Sequence, residues 1–223
     1  MLVHGILGQQ KLYWNLLKRR LVAQGFQVHE VTLPALGMGD LRSSATAIGT
    51  RLDQILHEHE LDQVDVLAHS AGGLSTRWFV QHYDHDHMVR RIVTMGSPHE
   101  GTRSAGLLPG RGLIPQVRPG SAFLRELNED PTPGPTQYTA VWTHLDGVIL
   151  PATSARLPTA NNVENLLYPG IMHWGYLTGP RFARALAAEL HRGFVGGERR
   201  IGWDGFRGTD AHEAIEDAAA QTG

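Results

Sequence analysis

The chain has 223 residues, 41% apolar and 19% charged, with a formal net charge of −2. That balance fits a folded globular domain, is too apolar for a disordered chain, and supplies no field for nucleic acid or an anionic membrane. Cysteine is absent, which excludes disulfides, thiolate metal sites and a cysteine nucleophile.

No apolar run approaches the ~20 residues of a membrane span. "MLVHGILGQQ" has neither the basic stretch nor the cleavage pattern of a secretory leader. The chain therefore reads as soluble, cytoplasmic by default, or secreted if a segment precedes Met1.

In chain order, Leu2 and Val3 form a strand fragment and "HGILGQQ" a loop. "YWNLLKRRLVAQG" has Trp14, Leu17, Leu21 and Val22 at helical spacing, with Gly25 as the stop. "FQVHEVTLP" alternates as a strand and ends at Pro34. "SATAIGTRLDQILHEH" is a second helix, with Ile48, Leu52, Ile55 and Leu56 on one side. "VDVLAHS" is a short apolar strand, "GLSTRWFVQHY" a helix, and "VRRIVTMGSP" a strand closing at Pro98.

Residues 100–136 are rich in Gly and Pro, yet carry Leu107, Leu108, Ile114, Val117, Phe123 and Leu124. The stretch 105–127 reads equally as a lid or acyl-pocket wall and as a surface excursion packed on the domain. "QYTAVW" and "VENLLY" are the last strands expected. "TGPRFARALAAELHRGF" is the final helix, with Thr178 as N-cap and Pro180 in its first turn. The domain is expected to span 1–195. The polar residues 196–223 read as a tail, with "DAHEAIEDAAAQ" as a frayed helix.

This alternation predicts an α/β domain with a mostly parallel sheet of about six strands flanked by helices. Sites in such sheets form beyond the carboxyl ends of the strands. The polar motifs of this chain all fall just after predicted strands.

"AHSAG" places Ser70 between a strand and a helix, in a small-x-Ser-x-Gly pattern. A nucleophile at such a turn takes a strained backbone and needs small neighbours, which Ala68 and Gly72 supply. The same position also suits a helix N-cap. A nucleophilic serine needs a base and a group that orients the base. Asp146 follows the strand "YTAVW" and His173 follows "VENLLY", so serine, acid and histidine come in the order used by one architecture of serine hydrolases. His144 is the rival base, and a turn role in "LDG" is the rival reading of Asp146. His69 is expected to be packed rather than catalytic. The oxyanion donors expected are the N–H groups of Ala71 and Ile6, the latter in "LVHGILG", where His4 organises the loop. Leu7, Met172 and Trp174 are candidate substrate-binding residues, with Ile6 beside them.

"VHGILG", "VLAHSAGG", "TMGSPHEGT", "HLDGVI" and "GIMHWGYL" together resemble the bacterial lipases and esterases of the α/β-hydrolase superfamily. In layout the chain looks like the small Bacillus-type triacylglycerol lipases, while "GSPHEGT" looks like the larger lipases, where it leads into a lid. The resemblance covers Leu2 to Phe194. It implies an α/β-hydrolase fold, a Ser70–His173–Asp146 triad, and oxyanion donors at Ile6 and Ala71. It also implies hydrolysis of lipid esters through an acyl-enzyme, without metal or cofactor. In that family a full central strand precedes His-Gly, whereas only Met1, Leu2 and Val3 precede His4, so a start upstream of Met1 is expected. Transient contact with lipid interfaces and a loss of activity below pH ~6 to 7, as a histidine base takes up a proton, are further expectations. The alternatives are a short-chain carboxylesterase or other acyl hydrolase, and a non-catalytic binding protein of the same fold. "HYDHDH" offers His82, His85 and His87 to a zinc ion, but no second cluster completes such a site.

Overall fold

The computed structural model describes residues 1–6 and 11–201. Its strands are β1 (Leu2–Val3), β2 (Val64–His69), β3 (Val89–Met95), β4 (Gln137–Trp142), β5 (Val163–Leu167) and β6 (Gly197–Arg200). They lie side by side in chain order, every pair parallel. The helices are α1 (Lys11–Val22), α2 (Leu41–His59), α3 (Ala71–His82), α4 (Leu113–Gln116), α5 (Ala122–Leu127), α6 (Gly175–Thr178) and α7 (Pro180–Arg192).

Side chains alternate across a strand, so each strand feeds two core layers. Val66 and Ala68 of β2 pack with Ile48, Leu52, Leu74 and Phe79 of α2 and α3. Leu67 between them packs on the opposite face with Trp14, Leu17, Phe182 and Leu186 of α1 and α7. Covering both faces is what a parallel sheet requires, and it explains why β2 to β5 read as apolar runs. Asp40 starts α2 by accepting from the Arg42 N–H at 2.7 Å. A side chain at Gly49 of α2 would stand 2.6 Å from the Phe79 ring, so glycine there sets how closely α2 approaches α3.

The structure departs from the sequence reading in four places. "FQVHEVTLP" is not a strand: its one ladder contact is a bridge from Glu30 to Leu2, because β1 offers only two residues to pair with. Val22 is exposed, while Trp14, Leu17 and Leu21 carry the buried face of α1. Thr178 does not cap the last helix. Its hydroxyl turns back to the Trp174 carbonyl at 3.1 Å, and Gly179 takes the cap position before Pro180.

The fourth departure is β6, which extends the sheet past the boundary expected at 195, with Ile201 buried beyond it. β6 is too polar to show a buried face in sequence. It is held by charge: Arg199 donates to Glu164 at 2.5 Å and to Glu189 at 2.6 Å. Glu164 is fully buried in β5 and also accepts from Arg91 of β3 at 2.9 Å. Arg156 and Glu198 make a further pair at the edge. The frayed helix expected in the tail lies outside the described residues.

Between 105 and 127, packing accounts for most of the large apolar residues. Leu113, Val117, Phe123, Leu124 and Leu127 join the α2–α3 core layer, and Phe123 stacks on Trp78 with ring centroids 4.9 Å apart. Leu107 and Leu108 remain exposed.

Candidate active site

The turn from β2 to α3 puts Ser70 at φ 55°, ψ −131°. That conformation disfavours any residue with a side chain and costs on the order of 1–3 kcal/mol. Ser70 makes no side-chain cap to α3, so the structure removes the N-cap reading. Close approach explains the small residues around it. A side chain at Gly72 would come within 2.5 Å of the His4 carbonyl oxygen, and one at Gly5 within 2.8 Å of Ser70 Cβ. The loop after β1 therefore lies directly against the turn. The first N–H groups of α3, Ala71 included, have no acceptor within the helix and point out of its amino end.

His4 ties down the loop after β1. Its Nε2 accepts from the Leu33 N–H at 3.2 Å, so its Nδ1–H donates to the Gly5 carbonyl at 2.9 Å. Its pKa is lowered, first by burial, so the ring is neutral. Ile6 is half-buried and packs against the α2–α3 core layer. Leu7 lies outside the described residues.

Asp146 and His173 meet. The His173 Nδ1 lies 2.9 and 3.0 Å from the two Asp146 carboxylate oxygens. A carboxylate accepts, so Nδ1 carries the hydrogen, and in the neutral ring Nε2 is the nitrogen with the free lone pair. The His173 N–H also donates to the Asp146 carbonyl at 3.0 Å. Both side chains are buried. Asp146 fills its turn role as well, accepting from the N–H groups of Val148 and Ile149 at 3.1 and 2.8 Å. One carboxylate thus shapes the loop after β4 and orients an imidazole from the loop after β5. His144 is exposed and edges against Trp142 instead, with centroids 4.7 Å apart.

His69 connects the two halves of the site. Its side chain is packed, as expected, and its Nε2 lies 3.0 Å from the His173 carbonyl oxygen. Gly96, which follows β3, leaves room for the pair: a side chain there would reach within 2.9 Å of Asp146 Oδ2 and 2.8 Å of the Tyr176 ring. Sequence reasoning missed Gly96, because the clash it avoids comes from two distant segments, the one with Asp146 and the one with His173 and Tyr176.

"GSPHEGT" braces the acid loop. Thr102 Oγ1 donates to the Val148 carbonyl at 2.8 Å and accepts from the Leu150 N–H at 2.9 Å. His99 ties this segment to α3. Arg77 Nη1 donates to His99 Nδ1 at 3.2 Å, so the His99 Nε2–H faces Thr94 Oγ1 at 3.0 Å. Arg77 is itself buried and donates to the carbonyls of Pro131 and Leu127 and to Asn128 Oδ1. The pairing within a familiar string was the only signal for these roles.

Met172 and Trp174 flank His173 and are 68% and 48% exposed. Leu145, Val148 and Leu150, on the Asp146 loop, are exposed too. Large apolar side chains on the loops that carry Asp146 and His173 are therefore exposed. A separate cavity of about 200 Å³ lies at the opposite ends of the strands, lined by Met1, Val64, Asp65 and Arg90 among others. Among the described residues no group of three or more His, Asp or Glu side chains is arranged to hold a metal, and no helix is long and apolar enough to cross a membrane.

Comparison with known proteins agrees with this architecture. The family model described as palmitoyl protein thioesterase matches residues 1–111. Aspergillus fumigatus lipase B superposes with a TM-score of 0.69 at 18% identity, over 88% of this chain and 52% of that one. The chain thus spans about half the length of that lipase. The mature form of Bacillus licheniformis lipase BlEst2 gives 0.64 at 19% identity, over 80% of this chain and 85% of that one. The metagenomic carboxyl esterase MGS0156 gives 0.61 at 16% identity, over 84% and 73%. The chain has the α/β-hydrolase fold of these lipases and esterases.

Proposed function

We propose that the chain is a serine hydrolase that cleaves carboxylic esters of apolar acids through an acyl-enzyme. The observation that carries the proposal is the buried Asp146–His173 pair, taken together with a serine held at positive φ in the β2–α3 turn. Ser70 Oγ attacks the ester carbonyl and His173 Nε2 takes its proton. Asp146 holds the Nδ1–H and stabilises the imidazolium that forms. The N–H groups of Ala71 and Ile6 receive the oxyanion, a good donor contributing about 3 kcal/mol. His173 returns the proton to the leaving alcohol, and water repeats the cycle to free the acid.

The exposed apolar group of Leu145, Val148, Met172 and Trp174 supports a lipid ester, in keeping with the fold shared with lipases. It also supports transient contact with lipid interfaces. The match to the palmitoyl protein thioesterase model favours a second reading, in which the leaving group is a thiol and the substrate a long-chain thioester.

A fluorophosphonate probe tests the chemistry. Labelling that maps to Ser70 and vanishes in Ser70→Ala is expected, and a wild-type chain that stays unlabelled would sink the hydrolase reading in favour of a binding protein. Rates on p-nitrophenyl butyrate, p-nitrophenyl palmitate and palmitoyl thioester then separate the short-chain, long-chain and thioester substrates.

A further inference from the structure

Ser70 and His173 belong to different strands, with nothing in the local chain to fix the distance between them. Ser70 is set by the β2–α3 turn, and His173 rides on a loop after β5, separated from β2 in the sheet by β3 and β4. One side chain crosses between the two. His69, the last residue of β2 and the neighbour of Ser70, reaches under the site to the main chain of His173.

The contact is a hydrogen bond of fixed sense. A carbonyl oxygen only accepts, so the His69 Nε2–H donates to the His173 carbonyl over 3.0 Å. The two rings also lie face-near, with centroids 4.6 Å apart at 45°. Trp14, Trp174 and Tyr176 close around His69, with centroids 5.8 to 6.3 Å away. The ring is buried among them.

We propose that His69 is a positioning residue for the base, holding His173 at the distance from Ser70 that proton transfer requires. The proposal rests on the hydrolase reading above and extends it to a residue outside the triad. With His69 in place the base is held at three points: its N–H on the Asp146 carbonyl, its ring on the Asp146 carboxylate, and its carbonyl on His69. The first two fix the base to the acid. Only the third fixes it to the strand that carries the nucleophile. Burial, followed by the nearness of His173, pushes the pKa of His69 well below the usual histidine range. The ring therefore stays uncharged and adds no repulsion when His173 becomes a cation.

A displacement of about 1 Å between reacting groups costs on the order of 100-fold in rate. His69→Phe keeps the ring and removes the donor. Its kcat on a p-nitrophenyl ester is expected to fall by about 30- to 100-fold, with KM within about twofold, because ground-state binding does not depend on the base. His69→Gln puts an amide N–H where Nε2–H stood and should recover most of the rate. His69→Asn places its amide where Nδ1 stood and should not. The Gln/Asn pair decides the matter even if the Phe variant fails to fold. Equal kcat for the Gln and Asn variants, or a folded Phe variant at wild-type kcat, would overturn the proposal. Fluorophosphonate labelling of the wild type, run alongside, separates this outcome from failure of the hydrolase reading itself.

Discussion

The β2–α3 turn and the β5–β6 edge solve opposite problems. At the turn, the chain accepts backbone strain at Ser70 and clears space with Gly5, Gly72 and Gly96, so that the loop after β1 lies against Ser70 and the Asp146–His173 pair can form. At the edge, a strand with almost no apolar content is held by charge, with Glu164 between Arg91 and Arg199. The turn gives up stability to hold Ser70 at the end of β2. The edge places a buried carboxylate so that both arginines depend on it. The lesson is that residues costly to the fold mark the proposed chemistry at the turn and architecture at the edge, so a misfit residue is not by itself a functional signal.

The largest effect should come from the turn. Ser70→Ala is expected to lower kcat on p-nitrophenyl esters by at least about 10⁴-fold, leaving residual catalysis from the oxyanion donors. The unfolding midpoint in urea should barely move. A variant that keeps its activity would show that the turn's strain serves something else.

At the edge the order reverses. Glu164→Ala leaves two arginines without their shared buried partner and should cost about 3–5 kcal/mol. Hydrogen exchange should show β6 losing protection first. Fluorophosphonate labelling of whatever fraction remains folded should proceed at the wild-type rate, because the edge lies away from Ser70.

Acid tests the histidines packed around the turn. Burial, then His173 for His69 and Arg77 for His99, holds both pKa values well below 6.5. The unfolded chain therefore binds protons below pH 6.5 that the folded chain refuses. Stability should fall as pH drops through that point, approaching about 1.4 kcal/mol per pH unit for each of the two. Urea titrations at pH 7.5, 6.0 and 5.0 would measure the slope, and a flat profile would contradict the buried neutral assignment.

The smallest effect isolates the strain. Ser70→Gly removes the side chain that makes φ 55° costly and should stabilise the fold by about 1 kcal/mol while abolishing labelling. A loss of stability would mean that Ser70 is not strained in the folded chain.

Much of the site was legible in one dimension. Ser70, Asp146 and His173 each follow a strand, in an order that convergence above a parallel sheet makes meaningful, and the structure joins the last two directly. The small residues of "AHSAG" and "HGI" reported a steric requirement within a few positions of the serine. His69 was readable as packed but not as a link, because its acceptor lies 104 residues away. The strand expected at "FQVHEVTLP" failed for the complementary reason: alternation was present, but β1 offered only two residues to pair with.

Local pattern alone therefore determined the α/β alternation, the apolar strands β2 to β5 and the three residues proposed to react, since each rests on periodicity or on neighbours close in the chain. Tertiary structure decided that β6 joins the sheet, that much of 105–127 packs into the core, that Thr102 braces the Asp146 loop and that His69 reaches from the end of β2 to His173. Each of those depends on a partner tens of residues distant, and such a hydrogen bond or buried ion pair leaves no periodic trace in either segment that makes it.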